Sequence, residues 1–447
     1  MDSRLDTKSS AKSFNFFQHW YPLLPVEDID PLQLTTATLL GIPLVIWKPA
    51  AATTYQVFLD RCPHRLAPLS EGRIDQKSSN LMCSYHGWQF DTQGSCKRIP
   101  QADNPELIAK QSQNFCATVF PSCQANDLLW VWMDADAPEI ATQTTLPLSS
   151  KIDASKGFVW SSMVRDLEYD WQTLVENVAD PSHVPFAHHG IQGNRDRAQA
   201  VPIEILRSTR DIIEAEVEQP FKTKITFTPP CHLEYDIFLP VGNKRIGLVT
   251  YCLPVAPGKS RIVAQFPRNF AQKLHYFTPR WWDHLQNRNL VLDGDMVLLH
   301  QQEGYLQKTN WKTAYKMPTR ADRLVIEFRD WFDRYCAGKL PWELVGVAAS
   351  PSTVPVTREV LLDRYHQHTQ HCSSCRQTLK LIKLGQWLLL AYFVMVIATV
   401  AVLPDSLRTS LGLLLMISAL SGLGIFAVLR FWLMPKFYFV DYVHSER

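Results

Sequence analysis

Cys62-Pro63-His64, followed after eighteen intervening residues by Cys83-Ser84-Tyr85-His86, constrains this chain more than any other feature. One thiol and one imidazole from each of two loops are set out to converge on a common site. A [2Fe–2S] centre with thiolates on one iron and imidazoles on the other needs that mixed set, because neutral imidazoles lower its negative charge and raise its potential. A Cys2His2 zinc site uses the same ligand types, but zinc sites more often draw both cysteines from one short loop and both histidines from another. The alternation here favours the cluster.

The remaining sequence narrows the setting. At 447 residues the chain has material for two or three domains. Lys and Arg number 45 against 43 Asp and Glu, and the net charge of +2 gives no electrostatic reason to expect a nucleic-acid partner. Ten irregularly spaced cysteines do not make a secreted disulfide scaffold, which points to a reducing compartment. The first twenty residues carry Asp2 and Asp6 and no apolar run, so the expectation is a bacterial protein or a chain lacking its transit peptide.

Composition changes near residue 384. Before it lie short β-type runs at 44–47, 55–59 and 128–132; after it come two apolar segments, about 387–403 and 411–429, separated by Pro404, Asp405, Ser406 and Arg408. Each approaches the ~20 residues that cross a bilayer core. A buried hairpin of a soluble domain has a similar look, but almost no charge interrupts either run. Lys380 and Lys383 before the first segment and Arg430 and Lys436 after the second place the soluble portion on the cytoplasmic or equivalent side. The expected domains are 15–140, holding the cluster; 150–345, holding a catalytic site; a tether, 346–383, rich in Pro, Thr and His; and two transmembrane helices within 384–430.

The boxes at 61–66 and 83–90 resemble those of Rieske proteins. Electron-carrier Rieske proteins have an extra cysteine in each loop, joined in a disulfide; Ala67 and Ser84 stand there instead, which places the resemblance with the oxygenases. The run from Asp170 through Glu176, Asn177, Asp180 and His183 to His188 is similar to their mononuclear-iron box. Two histidines and a carboxylate form a facial triad that leaves positions on Fe(II) open for O2. The resemblance implies a third ligand on a helix roughly a hundred residues on, within 289–296. If that segment is helical, Leu285, Leu292, Met296 and Leu299 share an arc with Asp295 at its edge, so Asp295 is preferred to Asp293. It also implies that Asp180 links His86 of a neighbouring subunit to His183, and hence a homotrimer; a purely local role for Asp180 stays open.

Trp20-Tyr21-Pro22, a C-x-x-C at Cys372 and Cys375 and the two terminal apolar segments resemble the pheophorbide a oxygenase and chlorophyllide a oxygenase group. That resemblance implies an α+β chain: an all-β Rieske domain, a helix-grip-like α/β catalytic domain with an antiparallel sheet, and a transmembrane hairpin. It implies a [2Fe–2S] cluster, a mononuclear Fe(II), and a monooxygenase acting with O2 on a tetrapyrrole or similar hydrophobic ring at a lipid membrane. Methyl hydroxylation of the chlorophyllide a oxygenase kind, and a redox-sensing or translocation accessory role for the C-x-x-C, are the alternatives. No G-x-G-x-x-G fingerprint or plant-ferredoxin cysteine series is present, so electrons come from an external ferredoxin-like donor. Cys372 and Cys375 are candidates for exchange with a thioredoxin, for zinc together with His366, His368 and His371, or for an inert pair. Phe221, Tyr235, Phe238 and Tyr251 are equally candidates for substrate pocket or sheet core.

Overall fold

A computed structural model describes residues 13–50, 52–345 and 356–446. The N-terminal third is built from short antiparallel strands. Thr35–Leu39, Ile42–Trp47, Gln56–Leu59 and Val119–Phe120 form one sheet; Arg73–Ile74, Leu81–Met82, Gln89–Phe90 and Cys96–Arg98 form a smaller one. Alternation of apolar residues buries Val45, Trp47 and Phe58 with Leu69, Leu81 and Phe90 in a core that also contains Cys62 and Cys83. The two thiols are therefore fixed by packing on one side of their loops.

Trp20–Pro25 pairs with Leu128–Trp132, which pairs with Ser122–Ala125. Strand Leu128–Trp132 is buried along its whole length, and its core is continuous with that of the next sheet. That sheet has seven antiparallel strands in the spatial order Ser162–Leu167, Lys259–Gln265, Arg245–Ala256, His232–Phe238, Thr223–Thr228, Ile213–Val217, Glu204–Ser208. Helix Trp171–Ala179 packs on its central strands, and Arg323–Cys336 covers the outer pair. A longer helical stretch begins at Arg280, passes through a π-helical turn at His284–Arg288 and continues as Asn289–Leu306.

The segment expected to be a tether is different. Residues 346–355 lie outside the described residues, but from 356 onward the chain packs into the catalytic body: Arg364, His368, Thr369, Cys372 and Cys375 are all buried. Polar composition suggested solvent exposure, whereas here the polar side chains are buried by pairing with groups distant in sequence, Arg364 with Asp293 and His368 with Val164 O among them. Helix Ser373–Val402 starts well before the apolar stretch, with Leu379, Ile382 and Gln386 turned inward and Lys380 and Lys383 outward. Leu411–Ala427 returns beside it, Gly422 facing Leu389 and Tyr392. Both helices are long and apolar enough to cross a membrane. Their outer faces expose Trp387, Leu388, Val394, Leu414, Ile417 and Phe431, unlike a hairpin packed into a soluble core.

Candidate active site

The two cysteine loops are conformational twins. Cys62 N donates to Ala67 O at 2.8 Å and Leu66 N to Cys62 O at 2.9 Å; Cys83 N donates to Trp88 O at 2.9 Å and Gly87 N to Cys83 O at 3.0 Å. In each, the residue four after the cysteine has positive φ, Leu66 at 60° and Gly87 at 71°. The His64 ring stacks on Trp88 at 4.6 Å, and the His64 and His86 rings lie 4.5 Å apart.

Both cysteines are buried and both histidines half-buried. Burial pushes the Cys62 thiol up to about 11, so it ionises at neutral pH only where a metal cation replaces its proton. His64 Nδ1 is buried with no partner. Two soft thiols and two imidazoles, one of them with an orphaned ring nitrogen, fit a mixed-ligand iron–sulfur cluster.

The second cluster of donors is assembled from two elements. Asp180 starts a turn by accepting from Ser182 N at 2.7 Å; Pro181 and Pro185 sit in the first turns of Pro181–His183 and Val184–Ala187. The resulting bend brings His183 Nε2 and His188 Nε2 within 3.2 Å. Asp295, from helix Asn289–Leu306, lies 3.8 Å from the first and 3.4 Å from the second. Two imidazole nitrogens and a carboxylate oxygen converging this closely fit a hard-to-borderline divalent ion such as Fe(II). Asp180 Oδ2 lies 3.7 Å from His183 Nδ1, beyond hydrogen-bond reach but close enough for its charge to act. Burial favours neutral Asp180, but His183 and Ser182 outweigh it and hold the carboxyl below the usual carboxylate range.

Asp293 has another job. Its two oxygens accept from Arg165 Nη2 at 2.6 Å and Arg364 Nε at 2.8 Å, and all three side chains are 0% exposed. Between the two aspartates, Gly294 lets the helix approach the histidine loop: an added Cβ would meet Ala187 O at 3.0 Å and His188 Nδ1 at 3.2 Å. Gly294→Ala is expected to displace the His188 ring and weaken metal binding by about 10-fold or more, as losses of supporting contacts do, with iron content per chain as the measurement.

A cavity of about 1050 Å³ opens on His183, His188 and Asp295, walled by Met163, Leu248, Ile262 and Phe266, with Arg268 also in its lining. Of the aromatic candidates, Tyr235 lines it, its hydroxyl donating to Val178 O at 2.7 Å. Tyr251 is core, stacked on His232, while Phe221 and Phe238 are exposed away from the cavity. Cys372 and Cys375 are 0% exposed, so neither sulfur is open to a thioredoxin in this conformation. Of their neighbouring histidines only His368 joins them: His366 pairs with Asp363 and His371 with Asp166. Sequence reasoning missed Arg165, Arg364 and Arg268, because nothing in hydropathy separates a buried arginine from a surface one.

Two histidines from a turn and an aspartate from a helix packed against a seven-stranded sheet, joined to a twin-loop cluster domain, are the arrangement of Rieske non-haem iron oxygenases. Residues 19–119 match the Rieske [2Fe-2S] domain and 227–312 match the pheophorbide a oxygenase family. The chain is 38% identical to a chloroplastic pheophorbide a oxygenase of Oryza sativa subsp. japonica, over 98% of this chain and 87% of that protein. It is 36% identical to the chloroplastic flavonoid 8-hydroxylase 2 of Ocimum basilicum, over 81% of this chain and 73% of that protein. Among solved structures, dicamba monooxygenase bound to dicamba shares the fold, with a TM-score of 0.61 at 17% identity, covering 73% of this chain and 99% of that one. The chain belongs to the pheophorbide a oxygenase family. It is an oxidoreductase whose cofactors are a [2Fe–2S] cluster and a mononuclear iron.

Proposed function

We propose that this chain inserts oxygen from O2 into a tetrapyrrole, with Cys62, His64, Cys83 and His86 holding the [2Fe–2S] cluster and His183, His188 and Asp295 holding the iron. The observation that carries the reading is the 1050 Å³ cavity ending on those three donors. It lies just above the ~300–1,000 Å³ usual for small-molecule sites, a size suited to a four-pyrrole macrocycle. The flavonoid 8-hydroxylase relative favours a second reading, a three-ring flavonoid substrate, but such a molecule would leave much of this space empty. Ring-methyl hydroxylation of a chlorophyllide would use the same donors and differ only in how the ring is held.

When bound, the metals supply electron storage and O2 activation. The protein's own residues do the rest. Met163, Leu248, Ile262 and Phe266 exclude water from the ring. Arg288 is held by Asp283 at 2.9 Å and lies over the Phe266 ring, and Arg280 is tied to Asp28. Arg268 has no ion pair among the described residues, and its guanidinium is the partner for a substrate carboxylate. The charge of Asp180, 3.7 Å from His183 Nδ1, favours the proton on that nitrogen and leaves Nε2 for the metal. With a side chain 30% exposed, Asp180 is also reachable by His86 of a neighbouring copy, as a trimeric electron path needs. The donor is a ferredoxin-like protein, and the two exposed apolar helices anchor the chain in a membrane with the catalytic body on the side of Lys380, Lys383, Arg430 and Lys436.

Reduced protein is incubated under O2 with pheophorbide, chlorophyllide, protochlorophyllide and a flavone, and products are read by mass. Gain of oxygen on a tetrapyrrole is expected; turnover of the flavone alone would overturn the reading. Arg268→Ala is expected to raise KM for a carboxylate-bearing tetrapyrrole by roughly 10–100-fold, the worth of a charge-assisted hydrogen bond, with kcat little changed. The methyl ester of the same substrate should not register the substitution.

A further inference from the structure

Away from the catalytic iron, four other metal-binding side chains meet in the interior. His284, His368, Cys372 and Cys375 each offer one donor atom within 4.8 Å of all the others, and all four residues are buried. We propose that they form a tetrahedral zinc site that locks the first helix of the apolar hairpin, Ser373–Val402, to the helical stretch bearing Asp295.

The spacing is that of ligands around one ion. His284 Nδ1 and His368 Nε2 are 3.1 Å apart; Cys372 Sγ is 3.6 Å and Cys375 Sγ 3.8 Å from His284 Nδ1; Cys375 Sγ is 3.4 Å from His368 Nε2. A tetrahedral zinc with bonds of ~2.05 Å to nitrogen and ~2.3 Å to sulfur has edges of roughly 3.3 Å between nitrogens and 3.6 Å between nitrogen and sulfur. With each sulfur this near a ring nitrogen there is no room for the second iron of a [2Fe–2S] cluster.

The surroundings prepare the donors. His368 Nδ1 donates to Val164 O at 2.6 Å, which fixes the tautomer and turns the bare Nε2 toward the sulfurs. Arg280 Nη2 donates to Cys372 Sγ at 3.0 Å, a contact suited to a thiolate. Both histidines lie in π-helical turns, His284–Arg288 and Tyr365–Thr369, whose wider winding re-aims side chains that a regular helix would direct elsewhere. Two thiolates neutralise a divalent ion, so the assembled site is uncharged in a region that excludes water. Thiol exchange, by contrast, requires an exposed sulfur, and both are 0% exposed.

The placement gives the site its role. His284 lies eleven residues before Asp295 on the same helical stretch, roughly 16 Å along the axis at 1.5 Å per residue. Cys372 and Cys375 open the helix that leads into the apolar hairpin. One ion therefore joins the hairpin, the catalytic sheet through Val164, and the carrier of an iron ligand.

Metal analysis of the purified full chain tests the proposal. About one zinc per chain is expected beside the irons, with a zinc absorption-edge fine structure showing two sulfur and two nitrogen neighbours. Zinc that had strayed into the His183, His188 and Asp295 site would show no sulfur. Cys375→Ser should lose nearly all this zinc while the reduced-cluster EPR signal per chain is unchanged; because this variant also risks misfolding, the fine structure of the unaltered chain decides independently. Absence of stoichiometric zinc, zinc without sulfur neighbours, iron in its place, or a Cys372–Cys375 disulfide in a non-reducing peptide map would each overturn the proposal.

Discussion

His183→Ala is expected to lower O2-dependent product formation by more than about 100-fold, beyond the ~10–100-fold that loss of a mere supporting partner costs at a metal site. The EPR signal of the reduced cluster is expected to stay at full amplitude. The separation follows from the architecture. The His64 and His86 loops are anchored in their own core with Leu69, Leu81 and Phe90, whereas His183 belongs to a short turn that contributes no side chain to either main core. Removing its imidazole takes one of three donors from around the ion and leaves His188 and Asp295 facing each other at 3.4 Å. Asp295→Ala should give the same pair of results. Turnover retained in either variant would show that the reacting metal is held elsewhere.

How much of this could be read from sequence depended on how locally each feature is encoded. Cys62, His64, Cys83 and His86 fall within two short boxes whose spacing suggested a shared site, while His183 and His188, five residues apart, stood out only through the resemblance of the longer run 170–188 to a mononuclear-iron box. The resemblance pointed to the segment 289–296, and a regular helical phase then preferred Asp295, at the edge of the arc of Leu292, Met296 and Leu299, all of which are buried. His284 was not reachable: its partners are 84 or more residues away and it sits in a π-helical turn where that phase breaks down. The expected tether failed for a related reason. Arg364 is buried by Asp293, Gln367 by Arg165, and Thr369 by the carbonyl of Phe437, at 2.7 Å. Hydropathy registers these as polar side chains and so assigns them to solvent, because what satisfies them is a partner distant in sequence.

Asp293→Ala should have the opposite effect to Asp295→Ala although the two carboxylates belong to the same helical turn. Asp293 pairs with both the Arg165 and the Arg364 guanidinium, and none of the three side chains is exposed to solvent. Its removal takes away the carboxylate that the two buried guanidiniums share. Breaking such a pair typically costs about 3–5 kcal/mol, a large share of the ~5–15 kcal/mol that holds a domain folded. The test is a comparison of urea midpoints for metal-depleted proteins, so that lost iron binding does not count as lost stability. Asp293→Ala should unfold at markedly lower urea, with Asp293→Asn between it and the unaltered chain, since the amide oxygen still accepts from one guanidinium but carries no charge. Asp295→Ala should unfold close to the unaltered chain: without an ion its carboxylate pairs only with two titratable imidazoles, and losing it strands no permanent charge. Equal midpoints for the two alanine variants would mean that Arg165 and Arg364 find other counter-charges, and that the division of labour between neighbouring aspartates is wrong.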